Sequence, residues 1–512
     1  MASIRARLAH KPPGYRFTIG RVLAIYGALM LALLLASLDQ TIVATALPRI
    51  VSDLGGISNY SWVITGYVLA MTVTVPLYGK LGDIYGRRQL YLVAIPVFLL
   101  GSALCGLAQN MVELVAFRVV QGLGAGGLFA LAHATIAVIV PPRERGRYQG
   151  LIGATFVAGS IGGPALGGLI VDNASWRWIF YVNVPVGLVA LVVIAIAIPK
   201  RSPRHAHKVD YLGAALLAAG TTCLLLGLVW GGQQYPWGSV EVVGALVAAA
   251  VFLTAFFFVE KRAPEPILPY DLLRKRTVAA GVVAIGLSAM AMVGTIAYVP
   301  LFVQGVIGTS ATSSGAVLTP FFLGAVFASA LSGQWISRSG RYRPNALVGP
   351  VILGAGLFLL SRMDASTTNL EAARNMVIAG VGLGLMMQVF VIAVQNVVPI
   401  RQMGSATALT QFARSIGATL GVTLMGVIVN QRLPEAARIQ GQSLHRLPPE
   451  VRDGLAHALQ PAFLAAAALC LITLAIVVLW LEEVPLRREL EEMPGTAAPE
   501  SAQPEVVTQE AR

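Results

Sequence analysis

The chain consists of long apolar runs separated by short polar stretches, and this pattern limits what it can fold into. Fourteen runs are about 20 residues or longer, the length that an α-helix needs to cross a bilayer. Because lipid offers the backbone no hydrogen-bond partner, we expect each run to be helical. The predicted spans are 22–49, 58–78, 89–108, 112–140, 149–172, 178–199, 210–231, 240–260, 277–304, 314–336, 344–362, 375–399, 403–430 and 457–482.

Composition agrees with a polytopic membrane protein. Of the 512 residues only 12% are charged, against about 25% in soluble domains, and 56% are hydrophobic. The three cysteines fall inside apolar runs without metal or disulfide spacing. The sequence has no nucleophile–base motif either, so we predict no enzyme activity, no metal and no cofactor.

The basic residues indicate topology. The net charge is +13, but the bases lie between apolar runs, so we predict no nucleic-acid binding. With the N-terminus inside, 27 of the 37 Lys and Arg residues fall in inner segments and 7 in outer loops. This bias predicts that both termini are cytoplasmic. The first run is too long for a signal-peptide core, so it is interpreted as an uncleaved span.

An internal repeat divides the chain into halves. The pattern Gly-x6-Gly-Arg at 79–87 recurs 254 residues later at 333–341, although Ser337 replaces Asp83 in the second copy. Parallel repeats of this kind are a known transporter plan. The offset leaves room for two extra, lipid-facing spans between two six-helix bundles. The predicted parts are a cytoplasmic N-terminus (1–21), a first bundle (22–200), a linker with two spans (201–276), a second bundle (277–482) and a disordered cytoplasmic tail (483–512).

The stretch 79–88, Gly-Lys-Leu-Gly-Asp-Ile-Tyr-Gly-Arg-Arg, joins the second and third spans. Its charges predict a tight loop at the cytoplasmic membrane surface. The spacing resembles the signature loop of the major facilitator superfamily. The resemblance implies a conformational lock in which Asp83 caps the positive N-terminal end of the helix that begins near Met403. The lock residues are Gly79, Gly82, Asp83, Gly86, Arg87 and Arg88.

Two opposite charges fall within the first and fourth spans. Asp39 lies deep in the first span, where an acid costs about 2.5–3.5 kcal/mol unless it has a partner, faces water or takes up a proton. Arg118 lies at a compatible depth, and whether the two touch stays open at this point. The stretch from Arg118 to Gly127 resembles the fourth-helix motif of the same superfamily, whose arginine is tied to proton coupling. We therefore assign proton coupling to Asp39, Arg118 and Gln121.

The fifth span is dense in glycine and contains a proline. Small residues at intervals of four allow helices to pack closely, and proline kinks a helix. We predict a hinge, or a seal between the halves, formed by Gly163, Pro164, Gly167 and Gly168. Gly-Pro-x-x-Gly-Gly resembles the motif of the antiporters of the superfamily, which favours efflux.

The stretch 176–185 carries an aromatic cluster at a span boundary. Together with Leu-Asp-x-Thr-Ile-Val in the first span and fourteen spans, it resembles the fourteen-helix drug:proton antiporter family, over about 30–430. Ala44 and Thr45 depart from that family, which usually has Asn and Val there. The resemblance implies a proton-coupled exporter of amphipathic small molecules that acts by alternating access. We expect a monomer in the cytoplasmic (inner) membrane of a bacterium, exporting drugs and toxic compounds. The alternative is a dedicated proton-coupled exporter of one natural product, lipid or metabolite.

Two further ionisable residues lie deep in spans. Arg414 could pair with an acid of the first half, bind a substrate anion or lock the bundles. His133 could relay protons, or form a hydrogen bond within the packing. No acid lies deep in a second-half span, which favours neutral, zwitterionic or anionic substrates.

Overall fold

The computed structural model describes residues 17–54, 60–199, 210–232, 234–268, 270–309, 311–432 and 449–486. Fourteen long helices follow one another along these ranges: α1 (Ile19–Leu54), α2 (Tyr60–Ile84), α3 (Arg87–Leu107), α4 (Met111–Ile139), α5 (Arg145–Asn173), α6 (Asn183–Ala197), α7 (Tyr211–Trp230), α8 (Val240–Glu260), α9 (Arg276–Phe302), α10 (Ala311–Ser339), α11 (Arg343–Ser361), α12 (Asn369–Met386), α13 (Met403–Arg432) and α14 (Pro449–Trp480). Shorter helices are Trp178–Tyr181, Tyr270–Arg274, Val303–Ile307, Val389–Asn396 and Ile400–Gln402.

Each predicted span corresponds to one of these helices. Thirteen helices in the described part of the chain are long and apolar enough to cross a membrane by length and composition, and α5 is not among them. The 29 residues of α5 give a helix of about 43 Å, which is also long enough to cross the hydrocarbon core.

The helices form two bundles, each around its own apolar core. Side chains from α1 to α6 share one large buried cluster, including Leu29, Phe98 and Ile194. Side chains from α9 to α14 share another, including Phe321 and Phe463. The protein is therefore an all-α membrane protein with two six-helix bundles and two additional helices.

The two additional helices differ in their surroundings. α8 packs on α7 and exposes much of its apolar surface, as predicted for a lipid-facing helix. α7 instead lies across the junction between the bundles: its Leu217 belongs to a cluster with Leu77 of α2 and Phe412 of α13. Near its other end Trp230 makes an edge contact with Trp62 of α2 at 6.2 Å between ring centroids.

The predicted loop at 79–88 is wrong in its extent. α2 continues to Ile84 and α3 begins at Arg87, so only Tyr85 and Gly86 connect them. Gly86 has a φ of 93°, a conformation that favours glycine. The charges of this stretch remain on helices because they find partners at the helix ends.

The predicted cytoplasmic tail is only partly within the described residues. Residues 487–512 lie outside them. Glu483, predicted as part of the disordered tail, accepts hydrogen bonds from the backbone N–H groups of Tyr342 and Arg343 at 3.1 and 3.2 Å. This carboxylate therefore caps the start of α11, where free N–H groups attract negative charge.

Candidate functional site

The two bundles contact each other at one end, called here the inner end, where α1 begins and α2 ends. Apolar clusters with members from both bundles lie there, such as Val75, Ala130 and Ala408. At the opposite, outer end the buried cluster of the first bundle, which includes Leu47 and Phe180, draws its side chains from that bundle. The described contacts therefore close the inner end of the molecule.

Asp39 and Arg118 form a buried ion pair inside the first bundle. Arg118 Nη1 lies 2.5 Å from Asp39 Oδ2, and the residues are 1% and 0% exposed. Their depths in α1 and α4 were predicted to be compatible, and the helices bring the two into direct contact. Removing one partner of such a pair leaves an uncompensated buried charge, which is strongly unfavourable.

Gln121 completes a triangle with this pair. Its Oε1 accepts a hydrogen bond from Arg118 Nη1 at 2.7 Å, and its Nε2 donates to Asp39 Oδ1 at 2.8 Å. One helical turn of α4 separates Gln121 from Arg118, which places both side chains on the same face. The three residues assigned together from the sequence thus form one hydrogen-bonded group.

Two members of this group were not predicted. Asn183 Nδ2 donates to Asp39 Oδ1 and to Ser102 Oγ, each at 3.0 Å, and the Ser102 hydroxyl donates to the Phe180 carbonyl at 2.8 Å. Asn183 is 0% exposed and lies at the start of α6. The signal was present in the sequence, since Asn183 is a polar residue inside an apolar run, but it was interpreted only as part of the aromatic boundary.

Arg118 has further partners that hold its guanidinium in place. Its Nε donates to the Val63 carbonyl at 3.2 Å, and its guanidinium lies 4.1 Å from the ring centroid of Tyr67. Both partners belong to α2. Arg118 therefore joins α1, α2 and α4 around one charge.

Asp83 caps α13 of the other bundle. Its Oδ1 and Oδ2 accept hydrogen bonds from the backbone N–H groups of Gly404 and Ser405, each at 2.9 Å. Arg87 Nη2 also donates to Asp83 Oδ1 at 3.0 Å. The predicted contact with the helix that begins at Met403 is confirmed. A carboxylate suits this position because the first N–H groups of a helix lack intrahelical partners.

The neighbouring lock residues have separate contacts. A Cβ atom on Gly79 would collide with Ala408 and the Gly404 carbonyl, so α2 and α13 can approach only because no side chain is there. A Cβ on Gly82 would meet Leu131 of α4. Two other basic side chains of the stretch have partners outside α13. Arg88 Nε donates to the Ala195 carbonyl at 2.9 Å, and Lys80 pairs with Glu265 of the linker at 2.6 Å.

The glycine motif of α5 faces its own bundle. The nearest atoms to a Cβ on Gly163 or Gly167 belong to Thr41 and Thr45 of α1. The contact of α5 with the second bundle lies closer to its start, where Gly146 meets Gly333 of α10. The predicted seal between the halves is therefore not where Gly163 and Gly167 lie. Gly168 has no other atom within 4 Å of its Cβ position, and Pro164 lies within the helix.

His133 lies on α4 and Arg414 on α13, two helices that pack against each other where the bundles meet. His133 is buried, with Nδ1 3.2 Å from the Phe129 carbonyl, and its Nε2 has no hydrogen-bond partner in the described part of the structure. Arg414 is partly buried and makes no salt bridge or hydrogen bond with the described residues. The pairing with a first-half acid that the sequence allowed is not present in this conformation.

These features define a class of protein: two parallel bundles that meet at one end, with an ionisable group buried in one of them, are the architecture of a membrane transporter. The family model of the Major Facilitator Superfamily matches residues 29–422. The chain belongs to the major facilitator superfamily, and its relatives in that family are membrane transporters, not enzymes.

Curated relatives cover most of the chain. It is 38% identical over 412 residues to the multidrug transporter protein MdtP of Bacillus subtilis, covering 80% of this chain and 76% of that protein. It is 39% identical over 401 residues to multidrug resistance protein 3 of the same organism, covering 78% of each. Among solved structures, the proton:xylose symporter XylE aligns with a TM-score of 0.64 at 14% identity, over 92% of this chain and 98% of XylE, which supports the fold.

Proposed function

We propose that this protein is a proton-coupled antiporter that exports amphipathic small molecules, including drugs and toxic compounds, by alternating access. The observation that carries the proposal is the buried pair of Asp39 and Arg118. A carboxylate inside a spanning helix is costly and marks a functional site by default. Relatives named multidrug transporter and efflux pump support the direction of transport.

The chemistry of the pair suggests how a proton acts. With Asp39 ionised, its charge balances that of Arg118. When Asp39 takes up a proton, the attraction is lost and Arg118 keeps its hydrogen bonds to Val63 and Gln121. The first bundle then carries one uncompensated positive charge, which favours a different arrangement of α1 and α4. Asp39 is 0% exposed here, so α1 must also move for the proton to enter.

The cap on α13 supplies a second element of the cycle. In this proposal the Asp83 contact holds the inner end closed while the outer end is accessible. Opening the inner end separates Asp83 from Gly404 and Ser405, so the carboxylate keeps its contact with Arg87 and is otherwise hydrated. The proton gradient supplies enough energy, since each pH unit contributes about 1.4 kcal/mol and each 100 mV about 2.3 kcal/mol per charge.

The second bundle suggests a preference among substrates. Its buried polar side chains, within the described residues, include no Asp or Glu, whereas Arg414 has an unpaired guanidinium. A cation without a protein partner binds carbonyl, sulfonyl or carboxylate oxygens. We therefore expect neutral, zwitterionic or anionic amphiphiles to be exported better than dications. We place the protein as a monomer in the inner membrane of a bacterium, with both termini cytoplasmic.

Transport in proteoliposomes tests the proposal. We would impose a proton gradient and follow rhodamine 6G, ethidium and an anionic fluorescein derivative, with wild type beside Asp39→Asn. We expect gradient-driven movement of several probes, which falls in Asp39→Asn to the level seen without a gradient. Asp53→Asn is the matched control, because it removes an acid from the same helix that pairs with the exposed Arg49.

Two other outcomes would redirect the proposal. If probe movement persists in Asp39→Asn, the proton site lies elsewhere, and His133 is tested next. If no probe moves with wild type, the alternative of a dedicated exporter of one natural product, lipid or metabolite is favoured. Arg414 is the observation behind that alternative, since one fixed cation suits one fixed anion.

A further inference from the structure

Asp39 accepts more hydrogen bonds than the ion pair alone requires. Its Oδ2 accepts from Arg118, and its Oδ1 accepts from two amide groups, Gln121 Nε2 at 2.8 Å and Asn183 Nδ2 at 3.0 Å. All three partners are donors, which suits an ionised carboxylate. A protonated carboxyl in the same place would lack an acceptor for its own hydrogen.

Asn183 has an acceptor that is not in use. Its Oδ1 is buried and has no hydrogen-bond partner in the described part of the structure. An unsatisfied buried carbonyl oxygen is costly, and such groups call for a functional explanation. Rotation of the amide by about half a turn exchanges Oδ1 and Nδ2, which presents an acceptor to Asp39 in place of a donor.

We propose that Asn183 is a positioning residue that distinguishes the two protonation states of Asp39, an inference that rests on the proposed proton coupling. Its Nδ2 donates to the ionised carboxylate. After the amide has rotated, its Oδ1 accepts a hydrogen bond from the O–H of the protonated carboxyl. The Ser102 hydroxyl accepts from Nδ2 in the first orientation and so favours the ionised state.

This arrangement also connects the proton to α6. Asn183 is the first residue of α6, directly after the one-turn helix Trp178–Tyr181. Gln121, the other amide on Oδ1, uses its own oxygen for Arg118 and cannot exchange roles without breaking that bond. Asn183 is therefore the partner that can adapt to a proton on Asp39 while the contacts of Arg118 are kept.

Other ionisable groups near Asp39 come from three helices. Arg118 faces it from α4, Tyr67 from α2 and Cys105 from α3, where its thiol contacts Gln121 Oε1 at 3.7 Å. Substitutions at Asn183 leave all three in place. A changed proton affinity in such variants is then attributable to the amide.

An infrared pH titration of the purified protein tests the inference without a transport substrate. The absorption of the protonated Asp39 carboxyl is identified by its loss in Asp39→Asn, and its pH midpoint is then compared between wild type and Asn183→Leu. Leucine has nearly the shape of asparagine but no hydrogen-bonding group. Leucine removes both the donor to the ionised form and the acceptor for the protonated form. Because the contact with Ser102 favours the donor orientation, the first loss is the larger one, and the midpoint is expected to rise by up to about one pH unit.

A matched control separates this role from a structural one. Asn396 is also buried, with a donated hydrogen bond to the Val484 carbonyl at 3.0 Å and, among the described residues, no partner for its Oδ1. Asn396→Leu removes similar interactions in the other bundle and is expected to leave the midpoint unchanged. Ser102→Ala is expected to raise the midpoint less than Asn183→Leu. It removes the hydroxyl that favours the donor orientation of the Asn183 amide but leaves the amide itself in place.

The outcomes distinguish this inference from the proposed function. A midpoint in Asn183→Leu equal to that of wild type overturns the role of Asn183 while leaving proton coupling through Asp39 intact. If Asn183→Leu does not fold, Asn183→Ala, which also lacks a hydrogen-bonding group, is titrated instead, and an unchanged midpoint again counts against the inference. If Asp39→Asn alters neither the infrared spectrum nor coupled transport, the proposed function fails first.

Discussion

The two bundles meet along two seams that the internal repeat makes equivalent, and the seams use opposite charges. In the first seam α2 lies against α13, and a Cβ on Gly404 would collide with the Gly79 carbonyl. In the second seam α10 lies against α5, and a Cβ on Gly333 would collide with the Gly146 carbonyl. In both seams the backbones of the two helices are in direct contact, so both seams require a glycine, which has no side chain, at the contact.

The charged contacts beside these glycines differ. In the first seam Asp83 binds the N-terminal N–H groups of α13. In the second seam Arg143 Nε and Nη2 donate to the carbonyl groups of Ser337 and Arg338 at the end of α10, at 2.9 and 2.6 Å. An acid at a helix start and a base at a helix end both complement the helix dipole. The loss of the acid at Ser337 is thus offset by a base from the turn that precedes α5.

The two seams therefore share the close packing of their glycines but not the charged residue that stabilises it. Asp83 is 6% exposed in its side chain, whereas the Arg143 contact to Arg338 lies at the surface. Water and salt weaken an exposed charge contact more than a buried one. The first seam should therefore hold the inner end closed more strongly than the second.

The largest effect is expected from filling either glycine contact. Gly404→Val and Gly333→Val each place a side chain against backbone, which cannot move aside, so closure should fail and transport should fall about tenfold or more. Spin labels on Tyr85 and Arg401 for the first seam, and on Arg147 and Ser339 for the second, would report the separation. Gly244→Val is the control, since Gly244 on α8 has nothing within 4 Å. Normal closure in both seam variants would contradict the shared steric requirement.

An intermediate effect is expected from Asp83→Asn. The substitution keeps one acceptor oxygen but removes the charge at the start of α13, which costs about 1–2 kcal/mol and lowers the ratio of closed to open molecules about fivefold to thirtyfold. Spin-label distances across the first seam measure that population. Export should be impaired more than the affinity for a transported probe. Undiminished export by this variant would contradict the proposal that Asp83 holds the inner end closed.

The smallest effect is expected from Arg143→Gln. Its contacts are partly exposed, so the loss should be about 0.3–1 kcal/mol, or a twofold to fivefold change in the ratio of closed to open molecules at the second seam. The effect should shrink as salt is raised, whereas that of Asp83→Asn should persist. Equal effects of the two variants at high salt would show that the seams are equivalent in strength. Spin labels on Arg147 and Ser339 again give the measurement.

Much of this architecture could be predicted from the sequence, and the exceptions have physical reasons. Each predicted span corresponds to a long helix, because a run of about 20 apolar residues in lipid must satisfy its backbone hydrogen bonds internally. The extent of the loop at 79–88 was wrong, because a charged residue at a helix end can stay helical when another helix supplies its partner. Asn183 was missed for a related reason: its neighbours in sequence are aromatic, whereas its partner Asp39 lies 144 residues away.

The sequence by itself determined which segments form long apolar helices, the presence of two related halves and the residue types available for a buried charge, because hydropathy and repetition are properties of the chain alone. The tertiary structure decided the partners: Asp39 with Arg118 and Asn183, Asp83 with α13, and the glycines of α5 with α1. Each of these contacts depends on which faces of two helices meet. Which faces meet follows from the packing of all the helices together, since a face that is packed against one helix cannot contact another.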